Sequence, residues 1–160
     1  MEKILEAKNI YKNYPGVTAL ENVNFNVYKG KVNVLVGENG AGKSTLMKIL
    51  AGVEKQTSGT ILLKNKELNI NSTKDAEKNS IGIIHQELNL FPNLSVHENI
   101  FMGHEIFNKY FTIDTNEQKK ITKNLKMKLN QKINPDNLVE NLRIGQQQIV
   151  EIAKALAKNT

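Results

Sequence analysis

Nine consecutive residues, Gly37-Glu38-Asn39-Gly40-Ala41-Gly42-Lys43-Ser44-Thr45, carry the spacing G-x-x-x-x-G-K-[ST]. Each residue type has a chemical use there. Glycines let successive backbone N–H groups turn toward one centre, forming a concave nest that no side chain obstructs. Lys43 adds an ammonium for the β and γ oxygens of a bound triphosphate, and the Ser44 hydroxyl is a ligand for Mg²⁺. A helix starting at this point would aim its positive end at the same oxygens. The stretch therefore predicts a phosphate-binding loop.

Such a loop needs a strand before it and a helix after it. Val32-Asn33-Val34-Leu35-Val36 is of strand type, and Leu46, Ile49 and Leu50 follow at helical spacing until Gly52 offers a C-cap. Upstream, Ile4 to Ile10 reads as a strand, and Val23 to Val27 alternates with a period of two before a turn at Lys29-Gly30. Downstream, Ser58-Gly59 is expected to turn into a strand at Ile61-Leu62-Leu63. Ser72 or Thr73 caps a helix to about Asn79, and Ile81 to Ile84 reads as a buried strand ending at His85-Gln86. Pro92 interrupts the chain, and Ser95-Val96-His97-Glu98 is a capping box opening a helix through Met102. Two more helices are predicted. One runs from about Thr115 to Lys132; the other starts at Gly145-Gln146, with Ile149, Ile152, Ala153 and Leu156 on one face. Strands mixed with helices around such a loop give an α/β class, with residues 95–140 mostly helical.

At 160 residues the chain has the length of about one domain, able to bury roughly two thirds of its unfolded surface. It has no cysteine, which excludes disulfides and thiolate metal sites and fits a reducing compartment. The start, Met1 to Glu6, lacks a signal-peptide core, and no stretch approaches the roughly 18 apolar residues of a spanning helix. A cytoplasmic chain is expected. The net charge of +6 does not point to nucleic acid. Lys119, Lys120, Lys123, Lys126, Lys128 and Lys132 crowd one helix whose apolar stripe is Ile121, Leu125 and Leu129, the pattern of a solvated face. His85 is expected to pack rather than to act as a base or ligand, because no second ligand sits at metal-binding spacing. There is no internal repeat.

Leu142-Arg143-Ile144-Gly145-Gln146, just before the last predicted helix, resembles the L-S-G-G-Q signature of ATP-binding cassette (ABC) ATPases. Four landmarks fall in that family's order: Tyr14 before Pro15-Gly16, the loop from Gly37 to Thr45, Gln86 after a buried strand, and Leu142 to Gln146. The segments Asn13 to Phe25, Ile83 to Gly103 and Gly145 to Ala157 look most like the sugar-importer branch, whose chains usually carry two cassettes in tandem. The resemblance implies a P-loop NTPase cassette with antiparallel strands at the N-terminus and a helical subdomain. It also implies a division into residues 1–94 around the nucleotide, 95–145 with the signature, and a helix at 146–160. By the same resemblance, Tyr14 stacks on adenine, and Gly37 to Thr45 hold the phosphates of ATP. Ser44 and Gln86 serve Mg²⁺, with Gln86 sensing the γ phosphate or water, and Leu142 to Gln146 face the nucleotide of an opposite cassette. Arg143 and Ile144 depart from the signature's serine and first glycine. The implied partners are membrane permease subunits, a second cassette in tandem or as a dimer and, indirectly, a solute-binding protein; nucleic acid is not among them. The implied place is the inner face of the cell membrane.

In this family the chain continues into a Walker B strand, a Mg²⁺-associated aspartate and a catalytic glutamate, and no segment up to Thr160 reads as these. The 160-residue chain alone is therefore expected to bind nucleotide at most. It should also leave the Val32 to Val36 and Ile81 to Ile84 strands without a continuous ladder, giving marginal stability or aggregation. Two alternatives to an importer ATPase stand beside it: a truncated or split-gene fragment that does not hydrolyse nucleotide, and a soluble cassette ATPase without a permease.

Overall fold

The computed structural model describes residues 1–158, without the side chain of Lys126. The chain forms two compact units, Met1–Ile83 and Ile84–Thr160.

The first unit is built on an antiparallel sheet of order β2-β1-β3-β4, comprising β1 (Lys3–Tyr14), β2 (Val17–Tyr28), β3 (Ser58–Leu63) and β4 (Lys66–Glu67). β1 and β2 form a hairpin closed at Pro15-Gly16, in register from Lys3 opposite Tyr28 to Tyr14 opposite Val17. The register slips between Ala7 and Ile10. Asn9 takes a positive φ there, its N–H donates to Asn24 Oδ1 at 3.0 Å, and its amide donates to Asn22 Oδ1 at 2.7 Å. The slip is a bulge stabilised by asparagines, which tolerate the left-handed region better than other residues with a Cβ. Lys64 and Asn65 also have positive φ and join β3 to β4, which suits a tight hairpin turn.

One face of this sheet is covered by α1 (Lys43–Leu50), whose Leu46, Ile49 and Leu50 are buried. They join Leu5, Ala7, Ile10, Leu20, Ile61, Ile70 and Ala76 in a single core. Ala76 comes from α2 (Thr73–Lys78), which is capped as expected, the Ser72 hydroxyl accepting from Asp75 N–H at 3.2 Å. The Ser72 hydroxyl in turn donates to the Asp75 carboxylate and holds its pKa below the usual value.

Three expectations fail here. Val32 to Val36 and Ile81 to Ile84 are not strands, because nothing among the described residues pairs with them. Val32, Val34 and Val36 are 92%, 72% and 86% exposed, while Leu35 and Ile81 rest against the core. A strand is defined by its ladder, so an apolar, β-branched run without a partner stays irregular. Asn33 supplies a local substitute, its amide accepting from Tyr28 N–H at 3.2 Å and donating to Lys31 O at 3.0 Å. Third, Ser58 and Gly59 do not turn but begin β3. A Cβ on Gly59 would run into the Asn9 backbone at the bulge, so the close approach of β3 to β1 depends on glycine there.

The second unit is helical: α3 (Val96–Phe101), α4 (Thr115–Lys128) and α5 (Ile144–Ala157), with a short 3₁₀ turn at Val139–Asn141 that the sequence did not announce. Its core gathers Val96, Ile100, Phe101, Leu125, Ile133, Val139, Leu142, Val150 and Ala153. The expected capping box closes α3. Ser95 Oγ accepts from Glu98 N–H, and Glu98 Oε2 accepts from Ser95 N–H at 2.8 Å. The Ser95 hydroxyl also donates to Glu98 Oε2, and this bond, followed by the one from Ser95 N–H, holds the Glu98 carboxyl below its usual pKa. Asn99, fully buried, ties the preceding turn to α3: its Oδ1 accepts from Phe91 N–H at 2.7 Å, and its Nδ2 donates to the carbonyls of Phe91, Leu94 and Ser95. Gln118 and Thr122 of α4 are buried polar residues that composition alone would have left on the surface. Among the described residues no helix is long and apolar enough to cross a membrane.

Candidate functional site

The loop from Gly37 to Thr45 leads into α1 through Gly42, whose φ of +79° and ψ of 3° lie in the left-handed region. Gly42 must be glycine for a second reason. A Cβ there would sit 2.5 Å from Ala19 O and 2.5 Å from Leu20 Cδ2 of β2. The start of α1 is thus pressed directly against the sheet. Gly40 is also left-handed, at φ +85°, but a Cβ on it would meet open space. Glu38, Asn39, Gly40 and Ala41 are exposed, and Ala41 N–H closes a turn onto Glu38 O at 3.2 Å.

No side chain caps the N-terminus of α1, and its first turn contains no acidic residue. The amides of Lys43, Ser44 and Thr45 therefore face outward where the helix dipole favours an anion. Lys43 Nζ reaches back over the loop, donating to Gly37 O at 2.6 Å and Glu38 O at 2.5 Å. Its ammonium is thereby held at the mouth of the loop by two carbonyls, contacts that phosphate oxygens can replace. Ser44, at the second position of α1, is exposed with its hydroxyl accessible. These residues fit a phosphate group and, through Ser44, its associated Mg²⁺: the cradle is glycine-lined, uncapped and free of competing carboxylates in the first helical turn.

Tyr14 lies at the end of β1 and is 38% exposed. Lys12 Nζ stands 4.7 Å from its ring centroid, fixed by an ion pair with Glu54 at 3.0 Å and a bond to Lys55 O at 2.8 Å. One face of the ring is engaged by this cation–π contact. Lys12 was not singled out from the sequence, although strand alternation puts residues two apart on one face.

Tyr14 and the phosphate loop belong to the first unit; Gln86 and Leu142 to Gln146 belong to the second. Gln86 is exposed, in a segment without regular structure. His85 is exposed too, which corrects its assignment as a packing residue: with no strand at Ile81 to Ile84, nothing covers it. In the signature segment Leu142 is buried in the helical core, whereas Arg143, Ile144 and Gly145 are exposed. α5 starts one residue earlier than expected, at Ile144, with Arg143 at its N-cap. Gln146 Oε1 accepts from Arg143 N–H at 3.1 Å, and Arg143 O accepts from Gln146 N–H at 2.8 Å. This reciprocal pair squares off the first turn. The neighbouring Gln147, not singled out from sequence, donates through Nε2 to Val139 O and Leu142 O, each at 3.1 Å. It fastens the turn that presents Leu142 to Gly145. A run of three glutamines offers no signal for which of them turns inward.

Comparisons with known proteins agree with this geometry. The family model described as ABC transporter matches residues 20–160. The chain is 48% identical over 159 residues to the ribose import ATP-binding protein RbsA of Caldanaerobacter subterraneus subsp. tengcongensis, covering 99% of this chain and 32% of that protein. It is 48% identical over 159 residues to the protein of the same name from Clostridium perfringens, covering 98% of this chain and 31% of that protein. The chain thus spans about a third of the length of these curated relatives. Among solved structures it resembles cbiO1 from Clostridium perfringens, part of the ABC transporter complex cbiONQ, with a TM-score of 0.79 and 31% identity over 99% of this chain and 62% of that one. It also resembles a nucleotide-free ATP-binding cassette from an ABC transporter, with a TM-score of 0.84 and 27% identity over 99% of this chain and 66% of that one. The match over most of the chain, together with the glycine-lined loop at the head of α1, shows that this chain belongs to the ABC transporter family.

Proposed function

We propose that the chain is the nucleotide-binding part of an importer ATPase, coupling ATP binding and hydrolysis to uptake of a small solute, with a sugar such as ribose the first candidate. The observation that carries the nucleotide half is the uncapped start of α1, entered through left-handed Gly42 with Lys43 Nζ across the loop mouth. The solute half is supported by the names of the two relatives, both ribose import ATP-binding proteins.

In this proposal the outward amides of Lys43, Ser44 and Thr45 bind the phosphates, and Lys43 exchanges its two carbonyl partners for phosphate oxygens. Charge-assisted contacts of this kind are roughly twice as strong as neutral ones. Mg²⁺, when bound, neutralises charge on the terminal phosphates, with the Ser44 hydroxyl as its candidate protein ligand in the first unit. The Tyr14 ring, partly exposed at the end of β1, takes the adenine. Arg143 and the amides at the start of α5 present positive potential toward the nucleotide of an opposing cassette, and permease subunits supply the attachment to the cytoplasmic face of the membrane.

The test is equilibrium binding of a fluorescent ATP analogue to the protein and to Lys43→Ala. Removing the ammonium should weaken binding by about tenfold or more, with the circular dichroism spectrum unchanged. Equal binding by the two proteins would refute the role of Lys43. The solute is tested by uptake of labelled ribose in cells whose only copy of the full-length protein is wild type or Lys43→Ala; equal uptake in both would refute coupling.

A further inference from the structure

The segment that follows Gln86 is held by the helix that carries the signature residues. Asn89 N–H donates to Glu151 Oε1 at 2.7 Å, and Asn89 O accepts from Lys154 Nζ at 3.1 Å. Both polar groups of one backbone residue are thus gripped by oppositely charged side chains of α5. Gln147, Glu151 and Lys154 are four and then three residues apart, so they project from one face of the helix. Gln147 on that face fastens the turn at Val139 to Leu142, as described above. The polar face of α5 therefore binds the signature turn at its first turn and the Gln86 segment at its second and third. Residues 81–91 form no helix or strand of their own, so they have no regular structure to hold their path.

We propose that Glu151 and Lys154 are positioning residues that clamp the Gln86 segment to α5, so that a displacement at Gln86 is carried to Leu142–Gln146. This rests on the proposed nucleotide role of Gln86 and the signature segment. The physical case is that both bonds are charge-assisted and oppositely polarised: the carboxylate accepts from the N–H while the ammonium donates to the carbonyl. Asn89 cannot lift away from α5 without breaking both. A rigid helix then transmits the displacement along its axis to the turn held by Gln147.

The test uses amide hydrogen exchange on the full-length protein, with two variants at each position. Glu151→Gln keeps an acceptor oxygen and Lys154→Arg keeps a donor; Glu151→Leu and Lys154→Met keep neither. Exchange at the Asn89 amide should rise about tenfold in Glu151→Leu and stay near wild type in Glu151→Gln. Addition of a non-hydrolysable ATP analogue should alter exchange across residues 140–148 in wild type, Glu151→Gln and Lys154→Arg. That response should be lost in Glu151→Leu and Lys154→Met, while analogue affinity stays within about twofold. Retention of the response in both Glu151→Leu and Lys154→Met would overturn the coupling and leave nucleotide binding standing. Failure of the wild-type protein to bind the analogue would overturn the functional proposal, and the coupling with it.

Discussion

Gly42 is where the candidate phosphate loop and the fold make incompatible demands on any side chain, and replacing it with alanine separates the two reasons for glycine. The backbone stands at φ +79°, a region that costs an L-residue with a Cβ about 1–2 kcal/mol. The added methyl would also lie 2.5 Å from Ala19 O and Leu20 Cδ2. Leu20 Cδ2 can rotate aside, but Ala19 O is backbone of β2, at the register slip between Thr18 and Leu20, and moves only with the strand. α1 must then move off the sheet, an overpacking cost of about 1–3 kcal/mol. The sum, about 2–5 kcal/mol, is a large fraction of the roughly 5–15 kcal/mol that holds a domain together. Gly40→Ala is the internal control. Its φ of +85° carries the same backbone cost, but its Cβ would meet nothing within 4 Å. The difference between the two variants, about 1–3 kcal/mol, isolates the contact with β2. In urea unfolding of the protein this should appear as a midpoint for Gly42→Ala about 0.5–1.5 M below that of Gly40→Ala. Equal midpoints for the two variants would show that the approach of α1 to Ala19 is not tight, and the packing argument would fail.

Two further outcomes follow from the helical unit. Asn99→Leu removes the partner of Phe91 N–H and of the Phe91, Leu94 and Ser95 carbonyls, so unfolding should be easier by about 2–3 kcal/mol; a loss under about 1 kcal/mol in urea titration would mean that water replaces the amide without cost. His104 has its pKa lowered below 6.5, first by burial, and its Nε2 is buried without a partner. Because the folded pKa is lower than the unfolded one, the unfolded chain binds more protons in that window. Stability is full above pH 6.5 and falls as the pH drops through the folded value. His104→Phe should therefore flatten the acid side of the melting-temperature profile; a slope identical to wild type would show that His104 titrates alike in both states.

Local chemistry was readable from the chain wherever it is set by residues a few positions apart. Ser95 caps its helix as its spacing to Glu98 predicts, Ser72 is the cap of the two candidates Ser72 and Thr73, and Gly40 and Gly42 of the candidate phosphate loop occupy left-handed backbone whereas Gly37 does not. The bulge at Asn9, the short β4 and the 3₁₀ turn at Val139 were not announced, because each answers a neighbour rather than a pattern. Val32 to Val36 shows the opposite error. Its composition is that of a strand, yet it remains irregular and largely exposed, since propensity supplies no hydrogen-bond partners.

By itself, then, the sequence carried the spacing of the candidate phosphate loop, the capping box at Ser95 and the apolar stripes of α1 and α4, all products of spacing along the backbone, whereas on α5 the expected Leu156 is exposed and the unannounced Val150 is buried. Only the tertiary structure decided which apolar run became a strand, that Gly42 must clear Ala19, that Lys12 covers one face of Tyr14, and that Glu151 and Lys154 hold Asn89. Apart from Lys12 and Tyr14, two positions apart on β1, those contacts join residues 23, 62 and 65 positions apart or depend on a ladder partner. Pairing over such distances is favourable only once the rest of the fold has brought the groups together, and no local pattern encodes it.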